Sequence, residues 1–200
     1  MPKISEEAKN ERVQIILDHA FKLFSRKGYS NTTMDDIVKA SGISKGGIYT
    51  YFRGKQEIFI AIAENRFSLR RKMVEELQED LSSIEKIKNY LNWILSWVSD
   101  EKNSLQIKFT TEFWSVSSRD KDLMKVSEAR YERFSKGLKG ILIEGVERGE
   151  FKEDLDIDAM VYLILASTDS IGFMTGVMGI KADKKVCENL ISMICNHLIK

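Results

Sequence analysis

The chain has 200 residues, 43% of them hydrophobic and 30% charged, with a formal net charge of +1 and two cysteines. That is enough to bury a sizeable core in one large domain or two small ones, it is ordinary for a soluble globular protein, and two cysteines exclude a disulfide framework. The one proline, Pro2, lies ahead of any element and hairpin signals are few, so the reading is all-α.

Residues 1–8 read as a polar arm. Lys9 to Lys27 follows as an amphipathic helix with Val13, Ile16, Leu17, Ala20, Phe21 and Phe24 on one stripe, closed by Gly28. Tyr29 to Asn31 is a connector. Thr33, with Asp36 three residues on, has capping-box spacing; Ile37 and Ala40 give the short helix behind it an inward face, and Gly42 ends it. Ser44 then caps a helix of about two turns over Lys45 to Tyr51. Ile43, Ile48 and Phe52 can face inward, which leaves Lys45, Gly46, Gly47, Tyr49, Thr50 and Tyr51 outside.

Such a helix is a poor core element, because each glycine costs ~1 kcal/mol of helix propensity. It makes sense when held against DNA. In a helix-turn-helix the second helix enters the major groove N-terminus first, where glycines let its backbone come close. The charge distribution agrees: residues 1–55 hold ten Lys/Arg against six Asp/Glu, a net of +4, which leaves −3 for the remainder. A basic head on an acidic body fits a localised phosphate-binding face.

Gly54 and Lys55 open a helix running to about Leu81, with Ile58, Phe59, Ile62, Ala63, Phe67, Val74 and Leu77 as its buried face. At ~1.5 Å per residue it is long enough to leave a head of residues 1–54 and enter a body of residues 55–200. Ser82 and Glu85 repeat the capping-box spacing ahead of a helix over 83–99, with Ile87, Tyr90, Leu91, Ile94, Leu95 and Val98 apolar. A break at Asp100 to Asn103 precedes a helix from Leu105 to about Val116. A turn at Ser117 to Asp120 leads to a long helix reaching Arg148, with Gly149 after it and with Gly137 and Gly140 on one face as a place for close helix approach. A strongly apolar helix over Asp158 to Met178 and a last one over Asp183 to Ile199 bring the count to nine.

No apolar run approaches the ~18 residues of a transmembrane helix, and the N-terminus is charged rather than signal-like, so the reading is cytoplasmic with no membrane partner. Cys187 and Cys195, eight residues apart on one helix, read as small buried hydrophobes. The two histidines, His19 and His197, occupy no E-x-x-H or H-E-x-x-H spacing, and there is no P-loop or nucleotide fingerprint. No metal, cofactor or catalytic site is expected, and the chain does not read as an enzyme.

Thr32-Thr33, Asp36-Ile37, Ala40, Gly42-Ile43-Ser44, Gly47-Ile48-Tyr49, Tyr51-Phe52 and Lys55 together resemble the DNA-binding domain of TetR/AcrR-type transcriptional regulators, most specifically through the run SKGGIYTYFRGK. The resemblance implies that Lys45, Gly46 (through its backbone), Thr50 and Tyr51 face the groove, with Gly47 beside them in the DNA-binding set. Thr33, Ser44, Tyr49 and Lys55 would clamp phosphates; for Tyr49 and Tyr51 packing under the helix is the alternative. It also implies a repressor that forms a homodimer through the helices at about 158–178 and 183–199 and reads a palindromic operator.

The body of such a protein houses a small-molecule effector, here expected to be largely apolar or aromatic. Phe67, Trp93, Trp97, Phe109, Phe113, Trp114, Tyr131, Phe134, Tyr162, Asp169 and Phe173 are the candidate lining. Core packing is the alternative for each aromatic residue, and a helix cap or dimer seam for Asp169. Glu112 has the same ambiguity, or is simply solvated. Control by a protein partner, or by no ligand, is the alternative for the effector.

Overall fold

The computed structural model describes residues 5–75 and 80–199, with 67–75 as backbone course only. Among them are nine α-helices and no strand: α1 (Glu6–Lys27), α2 (Met34–Ser41), α3 (Lys45–Tyr49), α4 (Lys55–Glu75), α5 (Ser83–Ser99), α6 (Ser104–Ser117), α7 (Lys121–Glu147), α8 (Ile157–Gly176) and α9 (Lys184–Leu198), with one 3₁₀ turn at Glu101–Asn103.

The caps are set by local chemistry. Both reciprocal capping boxes form, Thr33 with Asp36 ahead of α2 and Ser82 with Glu85 ahead of α5. Each hydroxyl satisfies an orphan N–H of the first turn while the carboxylate returns to the cap's own N–H. These bonds hold the Asp36 and Glu85 carboxyls below the usual carboxylate range. Gly28, Gly42 and Gly149 follow their helices with positive φ, the conformation a side chain resists. The helix α1 starts earlier than expected, since Ser5 accepts from the Ala8 N–H and Glu6 and Glu7 fill the first turn, where carboxylates suit the helix dipole. The helix α3 stops at Tyr49, short of the expected Tyr51. Within the described residues α4 ends at Glu75; Asp80 is already in a turn. The expected burial of Phe67, Val74 and Leu77 lies outside the described residues.

The chain forms two compact units. The first comprises residues 1–66 and 108–126, the second 67–107 and 127–200. The sequence reading divides head from body at 54/55; by compactness the first unit runs on to Arg66 and takes in part of α6 and the start of α7. Its core joins Ile16, Leu17, Ala20, Phe21 and Phe24 of α1 to Ile37, Ile48, Phe52, Ile58, Phe59, Phe109, Phe113 and Leu123. The Phe59 ring stands 5.0 Å from Phe24 and 5.1 Å from both Phe109 and Phe113. In the second unit α5 packs on α8 and α9, burying Ile87, Tyr90, Leu91, Ile94, Leu95 and Val98 against Val161, Ile164, Leu165, Ile194 and Leu198.

One sequence expectation fails here. The helix α8 is by length and apolarity long enough to cross a membrane, although no run was expected to approach that length. The polar residues that interrupt the run, Ser167, Thr168, Asp169 and Ser170, break it to the eye but dilute it too little to change its average. Its apolar residues divide between two uses: Met160, Val161, Ile164 and Leu165 are buried in the second unit, while Tyr162, Leu163, Phe173 and Met174 are exposed.

Gly140 of α7 also differs from expectation. A Cβ on Gly140 would meet nothing within 4 Å, so close approach does not occur there. It occurs at Gly145, where a Cβ would come within 2.2 Å of the buried Phe151 ring. Gly145→Ala should therefore destabilise the protein by about 1–3 kcal/mol or more through overpacking. Gly140→Ala should stabilise it by up to ~1 kcal/mol, as Ala replaces Gly within a helix. Urea denaturation of the two variants beside wild type checks both signs.

Candidate nucleic-acid interface

The two short helices are held from within. Ile37 of α2 and Ile48 of α3 are fully buried, and Phe52 nearly so. With Ile48 turned inward, α3 presents Ser44, Lys45, Gly46, Tyr49 and Thr50 to solvent, while Gly47 and Tyr51 are half-buried. The two adjacent glycines differ in kind. A Cβ on Gly47 would press on Ile43 Cγ2 at 3.0 Å and Ser44 Oγ at 3.2 Å, so the packing of the turn itself calls for glycine. A Cβ on Gly46 would meet nothing within 4 Å. The fold makes no steric demand for glycine there, and the bare backbone faces outward.

Several polar groups of this face are already engaged. Ser44 Oγ accepts from the Gly47 N–H at 3.2 Å, and Thr33 Oγ1 accepts from the Asp36 N–H at 3.1 Å. The Thr50 hydroxyl donates to the Gly46 carbonyl at 3.0 Å. Lys45 Nζ lies 3.0 Å from Asp35 Oδ1, and that hydrogen bond holds its pKa above the ordinary lysine value. Both partners are exposed, so the pair is weak and readily exchanged for another anion.

Lys55 takes a less expected place. It is half-buried, its Nζ donates to the Tyr29 carbonyl at 2.7 Å, and it lies 4.2 Å from the centre of the Tyr29 ring. Burial draws its pKa below the ordinary lysine value. Tyr29, read from sequence as mere connector, is thus a junction. Its ring packs 4.6 Å from Phe59 and 5.7 Å from Phe24, and its N–H donates to Glu112 Oε1 at 2.6 Å. No sequence pattern signals this bond, since its partners lie 83 residues apart. A second tie joins Gln56 Nε2 to Asp120 Oδ2 at 3.1 Å.

The eleven candidate lining residues are divided between the two units. Phe109 and Phe113 are fully buried in the aromatic core of the first unit, and Trp114 is half-buried on the same helix. Trp93 and Trp97 are partly buried against the core of the second unit, and Phe134 is within it. Tyr131, Tyr162 and Phe173 are exposed, Asp169 is half-buried on α8, and the Phe67 side chain lies outside the described residues. Among the described residues no group of three or more His, Cys, Asp or Glu is placed to hold a metal ion.

Comparison with known proteins bears on both units. Residues 16–62 match the family model described as bacterial regulatory proteins, tetR family, and residues 86–186 match the one described as tetracyclin repressor-like, C-terminal domain. The chain is 30% identical to the uncharacterised HTH-type transcriptional regulator YfiR of Bacillus subtilis, over 85% of this chain and 82% of that protein. Among solved structures it is similar in fold to Salmonella enterica GusR (TM-score 0.82, 19% identity, covering 98% of each chain). It is likewise similar to the transcriptional regulator FadR of Bacillus subtilis in complex with stearoyl-CoA (TM-score 0.74, 22% identity, covering 92% of this chain and 98% of that one).

The two glycines of α3 give a test of what this face is for. Gly46→Ala should leave folding stability unchanged or raise it by up to ~1 kcal/mol, because alanine favours the helix. Gly47→Ala should lack that gain, because its methyl must displace Ile43 and Ser44. Thermal denaturation of both variants distinguishes a glycine kept for the fold from one kept for something outside it.

Proposed function

Because this chain belongs to the tetR family of bacterial regulatory proteins, we propose that it is a repressor which binds a palindromic operator as a homodimer and is released by a small, largely apolar or aromatic molecule. The observation that carries the DNA-binding half is the outward face of α3. A five-residue helix is held by Ile48 while Lys45, the bare backbone of Gly46, Tyr49 and Thr50 stay free of the core. Lys45, Gly46, Thr50 and Tyr51 face the major groove, with Gly47 shaping the turn behind them. Thr33, Ser44, Tyr49 and Lys55 meet phosphates. Such a protein works on DNA in the cytoplasm and acts by binding, not by catalysis.

The homodimer reading is supported by apolar surface that α8 and α9 leave uncovered. Tyr162 is 62% exposed, Leu163 53%, Met174 42% and Met193 70%. Apolar residues concentrated on two neighbouring elements mark a place where another surface is expected. Two α3 helices set ~34–36 Å apart by that seam would read successive major grooves of a palindrome.

The effector reading is supported by the FadR neighbour, which holds an acyl-CoA. Trp93, Trp97, Phe134 and Asp169 are the residues of the second unit retained as its candidate lining. Phe109 and Phe113 serve the aromatic core of the first unit, and Tyr162 and Phe173 stand on the exposed apolar face.

Two measurements test this. In fluorescence anisotropy on a selected operator, Lys45→Ala should weaken binding and relax preference at one position, by the ~1–3 kcal/mol of a bidentate base contact. Lys55→Ala should weaken binding to every sequence alike and reduce the salt slope by about 1; a sequence-selective loss would refute its phosphate role. Titrating the protein–operator complex with a panel of apolar and aromatic compounds, acyl-CoA thioesters among them, should release the DNA with a change in tryptophan fluorescence. A panel that leaves the complex intact and the melting temperature unmoved would favour control by a protein partner or by no ligand.

A further inference from the structure

Glu112 lies in α6, far along the chain from the helix-turn-helix, yet it belongs to the same compact unit. Its Oε1 accepts the Tyr29 N–H at 2.6 Å, and the same oxygen stands 3.0 Å from where a Cβ on Gly28 would be. Gly28, at φ +81°, both permits the turn and leaves the room in which the carboxylate sits. On the other side of Tyr29, the carbonyl accepts from Lys55 Nζ at 2.7 Å and the ring lies under the ammonium. The loop is braced further by the Thr32 hydroxyl, which donates to the Gly28 carbonyl at 2.8 Å, and it delivers the chain directly to the Thr33 cap of α2.

From this juxtaposition we propose that Glu112 is a positioning residue for DNA binding, which fixes Tyr29 so that the Tyr29 carbonyl and ring hold the Lys55 ammonium where a phosphate can take it over. The inference rests on the phosphate role of Lys55 proposed above. Glu112 touches no DNA. A carboxylate accepting a backbone N–H makes a charge-assisted bond stronger than a neutral one, and its removal leaves a part-buried N–H without a partner. Held at two successive peptide groups, Tyr29 transmits the position of α6 to the first turn of α4. Without the carboxylate, the loop and the lysine it carries sample several positions, and phosphate binding then has to order them again at a cost in affinity.

The experiment is a double-mutant cycle read by operator affinity. Glu112→Ala should weaken binding about tenfold in the wild-type background and less than about threefold in a Lys55→Ala background, because the two act through one contact. Glu112→Gln, whose amide oxygen can still accept the Tyr29 N–H, should recover most of the loss, and the Tyr29 amide resonance should shift strongly in Glu112→Ala and little in Glu112→Gln. Binding by Glu112→Ala within about twofold of wild type, or an equal loss in both backgrounds, would overturn the proposal, since a merely structural role weakens both alike. If Glu112→Ala does not melt cooperatively, Glu112→Asp, whose carboxylate falls one carbon short, takes its place in the cycle. A wild-type protein that selects no operator overturns the regulator reading first and this inference with it, and the wild type alone shows which has failed.

Discussion

A five-residue helix bearing two adjacent glycines does not hold itself together in water, since helix nucleation fixes several residues for each bond gained. The outward face of α3 therefore depends on burial beneath it. Ile48 is the main anchor, fully enclosed with Ile37 and backed by Phe52. The same unit holds an aromatic core in which Phe59 meets Phe24, Tyr29, Phe109 and Phe113. The outer residues of α3 contribute little to the fold, which leaves them available to a partner. Burial on one side and freedom on the other are two aspects of one arrangement.

The polar groups of the same region show a similar economy. The hydroxyls of Thr33 and Ser44 satisfy the first N–H groups of α2 and α3, so any phosphate they meet is bound by groups whose direction the caps already fix. Lys45 is held loosely by an exposed carboxylate, and Lys55 closely by a carbonyl and a ring. One lysine is poised to exchange partners; the other is aimed. That difference suits the roles proposed for them, one discriminating between bases and the other meeting a backbone common to all sequences.

Local chemistry was legible in the sequence, and distant chemistry was not. Both capping boxes, the glycines that end α1 and α2, and the inward set of α1 followed from spacing alone, because each depends on neighbours within one turn. The start of α1 was readable from Ser5, Glu6 and Glu7 but lost beside the polar residues that follow. The length of α8 was obscured by the polar residues in its middle. Phe109 and Phe113 carry the aromatic character of a pocket wall, and nothing in periodicity shows that they are fully buried beside Phe59 in the first unit. Glu112 is the extreme case, since its meaning lies in an N–H 83 residues away.

The first unit is discontinuous in sequence: it needs Phe109, Phe113 and Leu123 as well as the residues up to Arg66. A chain emerging from a ribosome makes its helix-turn-helix early, yet cannot close the core beneath it until α6 and the start of α7 have followed. During that interval the rings of Phe21 and Phe59 lack the α6 rings that they meet in the finished protein. The apolar face of α5, which waits for α8 and α9, is made in the same interval. The nascent chain therefore carries two incomplete cores at once, and the helix-turn-helix is among the first parts synthesised while the core beneath it is not among the first completed.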